Sequence, residues 1–318
     1  MIIASLVGGV GNQLFQYAAG RALAHKHGSQ LKLDTYSLGR SFRTYCLDNF
    51  NICAEKATTR DILRLDKTEG LLRIFKSLSL IPKGYHLLYK FAQKTESIRF
   101  DTRYYSYAPD TPLQPLLVKR VASQRIFDFD EDFFKLPDDI VLVGTWISYK
   151  YFDHIRSVIL NECSVKHDLH GNNRETAEKI KNTASVSIHV RRTDKVNDPE
   201  YFVTDINYLN KAMDYFYDVL DNPVFYVFSD DITWCKVNIK KNNVVFVDWN
   251  EDAHAYEDLR LMSLCKHNII AESSFSWWGA YLNDNINKIV ISPPASRWVK
   301  RNNSLFKDIL PPEWKVFE

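Results

Sequence analysis

Two adjacent guanidiniums stand where a strand should end. Ser187-Ile188-His189-Val190 alternates hydroxyl, apolar and aromatic residues as a buried strand does, and the chain then runs into Arg191-Arg192-Thr193-Asp194-Lys195. Successive side chains on an extended backbone point to opposite sides. One arginine can therefore fork onto a bound anion while its neighbour ties the loop to protein carboxylates. The chemistry implied is anion binding, with phosphate the natural ligand; solvated charge at a strand end is the plain alternative. Further on, Glu272-Ser273-Ser274-Phe275 opens a helix whose unpaired N–H groups, positive dipole end and hydroxyls suit a phosphate, although N-capping alone also accounts for a serine there. Asp258, on the helix before that cluster, offers a carboxylate that matches the paired N–H donors of guanine better than those of any other base; a solvated helix acid is its plain alternative. Ser229-Asp230-Asp231 closes a third strand.

The elements that would carry these groups follow from periodicity. Ile2 to Val7 reads as a buried strand, Gly8-Gly9-Val10-Gly11 as a tight loop, Asn12 to His27 as a helix, and Gln30 to Asp34 as a second strand. Glycines at the turn and an acid after the next strand have the outline of a dinucleotide fingerprint, but Leu14 stands where its third small residue belongs. Between residues 60 and 103 greasy and basic residues mix, which predicts two amphipathic helices split by Pro82. These form either a solvated face or a contact with an anionic membrane surface. Val141 to Trp146 reads as a strand and Tyr149 to Leu160 as a helix. The polar stretch His167 to Lys181, with Gly171-Asn172-Asn173 inside, reads as the domain boundary. From Ala184 onward strand and helix alternate five times, which predicts a doubly wound parallel sheet. Three of its strand ends carry the polar clusters above, where ligands of open α/β sheets bind. Trp277-Trp278 reads as core packing.

Composition narrows the function classes. A chain of 318 residues, 45% hydrophobic and 25% charged, is ordinary globular material with room for two domains. Lys and Arg outnumber Asp and Glu by 41 − 39 = 2, so nucleic acid is not favoured as a partner. The five cysteines are odd in number and form no CxxC pair, which points to the reduced cytosol rather than a disulfide framework or a zinc site. The N-terminal apolar run is too short for export or spanning. Asp128-Phe129-Asp130 has the form of a metal-binding pair, but Glu131 and Asp132 extend it into a surface acid run.

Four stretches taken together resemble glycosyltransferase family 11, the α1,2-fucosyltransferases. They are Gly8-Gly9-Val10-Gly11-Asn12-Gln13-Leu14-Phe15-Gln16-Tyr17-Ala18, His189-Val190-Arg191-Arg192-Thr193-Asp194, Phe228-Ser229-Asp230-Asp231 and Ser273-Ser274-Phe275-Ser276-Trp277-Trp278-Gly279-Ala280. The resemblance implies a two-domain GT-B fold, with Rossmann-like α/β domains at 1–170 (acceptor side, holding the first loop) and 171–318 (donor side), the last residues returning toward the N-terminal domain. It implies transfer from GDP-L-fucose to O2 of a galactose, with inversion and no metal or other cofactor. The acceptor would be a galactose-containing oligosaccharide or lipid-linked glycan, as in O-antigen assembly, reached from the cytoplasm or the inner membrane face.

By the same likeness Arg191 binds the diphosphate, His189 and Asp258 contact guanosine, and Ser274 with the Phe275 backbone holds the phosphates. Asn12 would face the transferring sugar. Gly9, Gly11, Arg192, Asp230 and Ser273 complete the donor set, with Asp194 and Glu200 as candidate bases. Thr193-Asp194-Lys195-Val196 departs from the Gly-Asp-Tyr that many bacterial members carry and is closer to the α1,6 enzymes, so an α1,6 linkage is the alternative. An NAD-dependent oxidoreductase and a non-catalytic nucleotide- or glycan-binding protein are the more distant readings.

Overall fold

A computed structural model describes residues 1–38, 43–66, 70, 73–74, 105–106, 120–124, 128–193, 195–196, 198, 202–298 and 307–318. The chain divides into two compact units. The first comprises Met1–Gly8, Phe15–Tyr45 and Cys53–Trp146; the second comprises Gly9–Leu14, Cys46–Ile52 and Ile147–Glu318. Each contains a six-stranded sheet among the described residues.

In the first unit, β1 (Ile2–Ser5), β2 (Leu31–Asp34), β3 (Glu55–Lys56), β4 (Tyr105–Ser106), β5 (Val121–Ser123) and β6 (Ile140–Val143) lie in the order β3-β2-β1-β6-β5-β4. All pairs are parallel except β4 with β5. The helix α1 (Val10–His27) joins β1 to β2, and α2 (Thr59–Leu65) starts on a capping box in which Thr58 and Asp61 satisfy each other's backbone N–H. Ile3, Val121 and Val141 of the strands bury against Ile62 and Leu65 of α2. At the open ends of β1 and β6 the side chain of Gln16, wholly buried, accepts from Val7 N and donates to Gly144 O, both at 3.0 Å. Asp34, the acid that gives this segment its dinucleotide outline, is buried. Arg73 grips it through two nitrogens at 2.7 and 2.8 Å and stacks its guanidinium 4.1 Å over Tyr36. A carboxylate so occupied is closed to a ribose hydroxyl.

The second unit is the doubly wound sheet that the alternating pattern predicts. Its elements are α3 (Arg156–Glu162), α4 (Gly171–Lys181), β7 (Ala184–Val190), α5 (Ile206–Val219), β8 (Pro223–Ser229), α6 (Ile232–Asn238), β9 (Val244–Phe246), α7 (Ala255–Leu264), β10 (His267–Ile269), α8 (Ser274–Tyr281), β11 (Val290–Ser292) and β12 (Lys315–Val316). The order is β12-β11-β10-β7-β8-β9 and every pair is parallel. Residues 167–181, read from sequence as boundary, contain instead the helix α4, which buries Thr176, Ala177 and Ile180.

β7 is the central strand, and its two faces differ as its alternation implies. Val186, Ile188 and Val190 join the apolar core with Leu209, Met213 and Phe216 of α5. On the other face Ser185 accepts from Lys266 N, and Ser187 accepts from Asn268 at 2.8 Å. Asn268 in turn accepts from Asn283 at 2.8 Å, so a polar chain with every member satisfied runs through the interior. Trp277 and Trp278 are wholly buried among Phe152 and Tyr281, the core role read from sequence.

Candidate functional site

The strands of the second sheet run outward from β7 in both directions, so its switch point lies between β7 and β10, with the chain leaving β7 at Arg191 and leaving β10 through Ile270-Ala271 to Glu272-Ser273. The two arginines are held differently. Arg192 stacks its guanidinium 4.0 Å over Trp234 and turns Nε to Asp231 at 3.5 Å. Asp231 also caps α6 by accepting from Trp234 N, so one acid anchors both the arginine and the aromatic ring beneath it. Arg191 points its Nε at Asp230, 3.3 Å away, and its backbone N–H donates to Thr204 at 3.2 Å. Asp230 also accepts from Arg192 N at 2.8 Å and from the Thr193 hydroxyl at 2.7 Å; its carboxylate holds the loop in shape. Thr204 and Trp234 carry no motif in the sequence and emerge only from the fold.

At the neighbouring strand end Lys195 donates to Glu272 O. The Glu272 carboxylate, buried, pairs with Arg297 at 2.9 Å, and Arg297 donates to Val203 O. The loop after β7 is therefore tied to the end of β10 at both of its described ends. Ser273 is the N-cap of α8, accepting from Phe275 N. Ser274 is released from that task, and its hydroxyl donates to Asn12 Oδ1 at 2.7 Å.

That bond joins two helix starts. Gly11, the second residue of α1, abuts the backbone of α8 so closely that a Cβ there would lie 2.5 Å from Ser274 C and 2.6 Å from Phe275 N. Gly9, by contrast, has open space where a Cβ would go. Gln13, wholly buried, fixes the same turn by accepting from Cys46 N at 2.9 Å. Neither helix has an acid in its first turn, so nothing there cancels the two positive dipole ends.

His189, one residue inside the end of β7, is buried against Phe275, ring centroids 5.3 Å apart. Burial, and then the charges of Arg191 and Lys195, push its pKa down to about 3, so the ring is neutral at physiological pH. Its Nδ1 is buried and meets no hydrogen-bond partner in the structure, the state of an atom that a ligand would satisfy. Asp258, largely buried on α7, is pushed up to about 7 by burial; the Asn250 amide at 2.7 Å opposes the shift and Glu257 adds to it. Asp194 and Glu200 lie outside the described residues, as does most of the stretch expected to form amphipathic helices between residues 60 and 103. Asp130 of the DxD run caps a short 3₁₀ turn by accepting from Asp132 N. Among the described residues no group of three or more His, Cys, Asp or Glu side chains is placed to hold a metal ion, and no helix is long and apolar enough to cross a membrane. All five cysteines are free thiols.

Fold and site define an α/β protein of the parallel, switch-point kind, with cationic and helix-start groups gathered at one strand crossing. The chain belongs to glycosyl transferase family 11, whose profile matches residues 108–318, and it is a glycosyltransferase. The α-1,2-colitosyltransferase of Escherichia coli is 30% identical to it over all of this chain and 99% of that one. The O-antigen biosynthesis glycosyltransferase WbnK of the same organism is 31% identical over 94% and 95% of the two chains. Galactoside alpha-(1,2)-fucosyltransferase 1 of Saimiri boliviensis boliviensis is 30% identical over 64% of this chain and 58% of that one. Family membership removes the oxidoreductase reading, as the occupied Asp34 also argues.

Proposed function

We propose that the protein transfers L-fucose from GDP-β-L-fucose to O2 of a galactose in a glycan acceptor, with inversion at the fucose anomeric carbon and without a metal. Each of the two units would be one domain of a GT-B enzyme. The single observation that carries this reading is the meeting of the α1 and α8 starts through Gly11 and the Ser274–Asn12 bond, beside the switch point that Arg191 leaves. A diphosphate leaving group accumulates negative charge as the glycosidic bond breaks. Arg191 and the α8 N–H groups are the donors able to stabilise it.

The acceptor hydroxyl attacks the anomeric carbon from the face opposite GDP, the C1–O bond to the β-phosphate breaks, and GDP departs with the electron pair. Asn12, with Oδ1 engaged by Ser274, would present its amide nitrogen to the sugar. The acceptor proton passes to a carboxylate, with Asp194 and Glu200 the candidates, or to water. His189, neutral and with Nδ1 open, and Asp258 would read the nucleoside.

Incubation with GDP-fucose and a panel of β-galactosides, followed by linkage analysis, tests the reading. An α1,2 product supports it and an α1,6 product would move the linkage. Binding of GDP-fucose with neither GDP released nor glycan product formed would leave only a binding protein. The full-length similarity to a colitosyltransferase favours a second donor reading, so the panel includes a GDP-colitose arm.

A further inference from the structure

The side chains around Asp258 form an ordered chain of hydrogen bonds that no motif marks. Trp249 Nε1 donates to Asn173 Oδ1 at 2.7 Å, and an indole N–H can only donate. The Asn173 amide must then turn its oxygen toward Trp249, and its nitrogen donates to Asn250 Oδ1 at 2.8 Å. With its oxygen so engaged, Asn250 has only its nitrogen to offer. That nitrogen reaches back to Asn173 Oδ1 at 3.0 Å and forward to Asp258 Oδ1 at 2.7 Å. The direction of every bond follows from the one group whose polarity is unambiguous.

The chain has three anchor points, the first turn of α4, the segment after β9 and the first turn of α7. Asp258 Oδ1 is thereby committed, and Oδ2 has no hydrogen bond among the described residues. Glu257 is the charge that acts on the carboxyl, and it is itself tied to Arg260; the group that touches Asp258 from the segment after β9 is the neutral Asn250, held in turn by the neutral Asn173 and Trp249.

We propose that Trp249, Asn173 and Asn250 are positioning residues that aim the Asp258 carboxylate for recognition of the guanine edge of the donor. This rests on the reading of Asp258 as the guanine-facing acid. Guanine offers N1–H and the 2-amino group to one carboxylate, and a carboxylate free to rotate would lose the second contact first. The hydrogen bond from Asn250 also favours the charged form, which is the form that accepts.

The test is calorimetric titration of the full-length protein with GDP and with inosine diphosphate, which lacks the 2-amino group, across pH 5.5–8.5. Wild type is expected to prefer GDP by on the order of tenfold, and Asp258→Asn to erase the preference. Asn250→Ala is expected to reduce the preference by about fivefold and to move the midpoint of GDP binding to higher pH, because a bond that favours the carboxylate has gone. Trp249→Phe, which removes only the N–H at the head of the chain, is expected to shift both readouts in the same direction by less and serves if Asn250→Ala does not fold. General damage would weaken both nucleotides equally and leave the midpoint in place. An unchanged preference and midpoint in Asn250→Ala and Trp249→Phe, with the preference erased in Asp258→Asn, would overturn the relay and leave the guanine reading standing. An unchanged preference in Asp258→Asn would overturn the guanine reading and the relay with it.

Discussion

Gly11→Ala carries the sharpest test of the site, because two effects of opposite sign act on one methyl group. Alanine is the better helix former by about 1 kcal/mol, so on propensity alone the substitution near the start of α1 would stabilise the protein. The structure sets against this a Cβ 2.5 Å from Ser274 C, 2.6 Å from Phe275 N and 2.7 Å from Ser274 O. All three are backbone atoms, so no rotamer change relieves them, and ordinary contact requires the two helix starts to part by about 1 Å. Overpacking of this kind costs about 1–3 kcal/mol, which exceeds the propensity gain over most of its range; the net loss of up to about 2 kcal/mol lowers Tm by up to roughly 8 °C for a unit of this size.

The same displacement would stretch the 2.7 Å Ser274–Asn12 bond beyond hydrogen-bonding range, so GDP affinity is expected to fall with stability. Differential scanning fluorimetry and GDP titration of the purified variant measure both. Gly9→Ala is the stability control: its Cβ meets nothing within 4 Å, and the change in stability is expected within about 0.5 kcal/mol of wild type. A Gly11→Ala protein with unchanged or raised Tm and wild-type GDP affinity would refute the contact between the helix starts and the site built on it.

Arg191→Lys keeps the charge but loses the planar fork, and is expected to lose most of the transferase activity with weaker GDP binding; near-normal turnover and affinity would remove Arg191 from the donor site. Arg192→Lys removes the stack on Trp234 and is expected to lower Tm by a few degrees with a smaller effect on turnover, measured by the same melting and kinetic assays. GDP binding through an ionised Asp258 with a pKa of about 7 is expected to weaken about tenfold from pH 8 to pH 6, and Asp258→Asn to flatten that slope. The sign for the free protein is the reverse. A carboxyl with a raised folded pKa contributes stability below its unfolded value, near 4, and loses that contribution as pH rises through about 7. For Asp194→Asn, a pH–rate profile that loses its basic limb would mark a general base, and a uniform drop would mark positioning.

Much of the second unit was legible because long buried strands and amphipathic helices repeat their patterns. Val186, Ile188 and Val190 alternate with Ser185, Ser187 and His189, and the burial of the two faces follows. The edges were not legible: β3, β4 and β12 are two residues long, too short for any period to show. The helix α4 was hidden by its own start, where Gly171-Asn172-Asn173 has the composition of a linker; Gly171 does adopt φ 51°, but the helix is held by three residues buried further along.

At the candidate site, residue types marked strand ends that the fold ties together, without revealing which partner each group takes. Asp230 and Asp231 look alike in sequence. One accepts from the loop backbone and meets Arg191 at Nε, while the other caps a helix and meets Arg192. The Trp249–Asn173–Asn250 chain had no signal to find, since Asn173 and Asn250 stand 77 positions apart and polar spacing over that distance has no period.

The serine and asparagine chain through the interior of the second unit bears on engineering. Apolar side chains tolerate sliding past one another, whereas Ser187, Asn268 and Asn283 are satisfied in one alignment only. A slip of one residue between β7 and β10 would carry one strand end about 3.3 Å past the other and turn its side chains over. The alignment of Arg191 with the strand leading to Ser273 is thus gauged from inside the sheet, well below the strand ends where the candidate site lies. Replacing Asn268 with leucine would leave a greasy, plausible core and remove the gauge. Variants meant to harden this enzyme against heat should therefore leave that polar thread intact, whatever an apolar substitution there adds to the melting temperature.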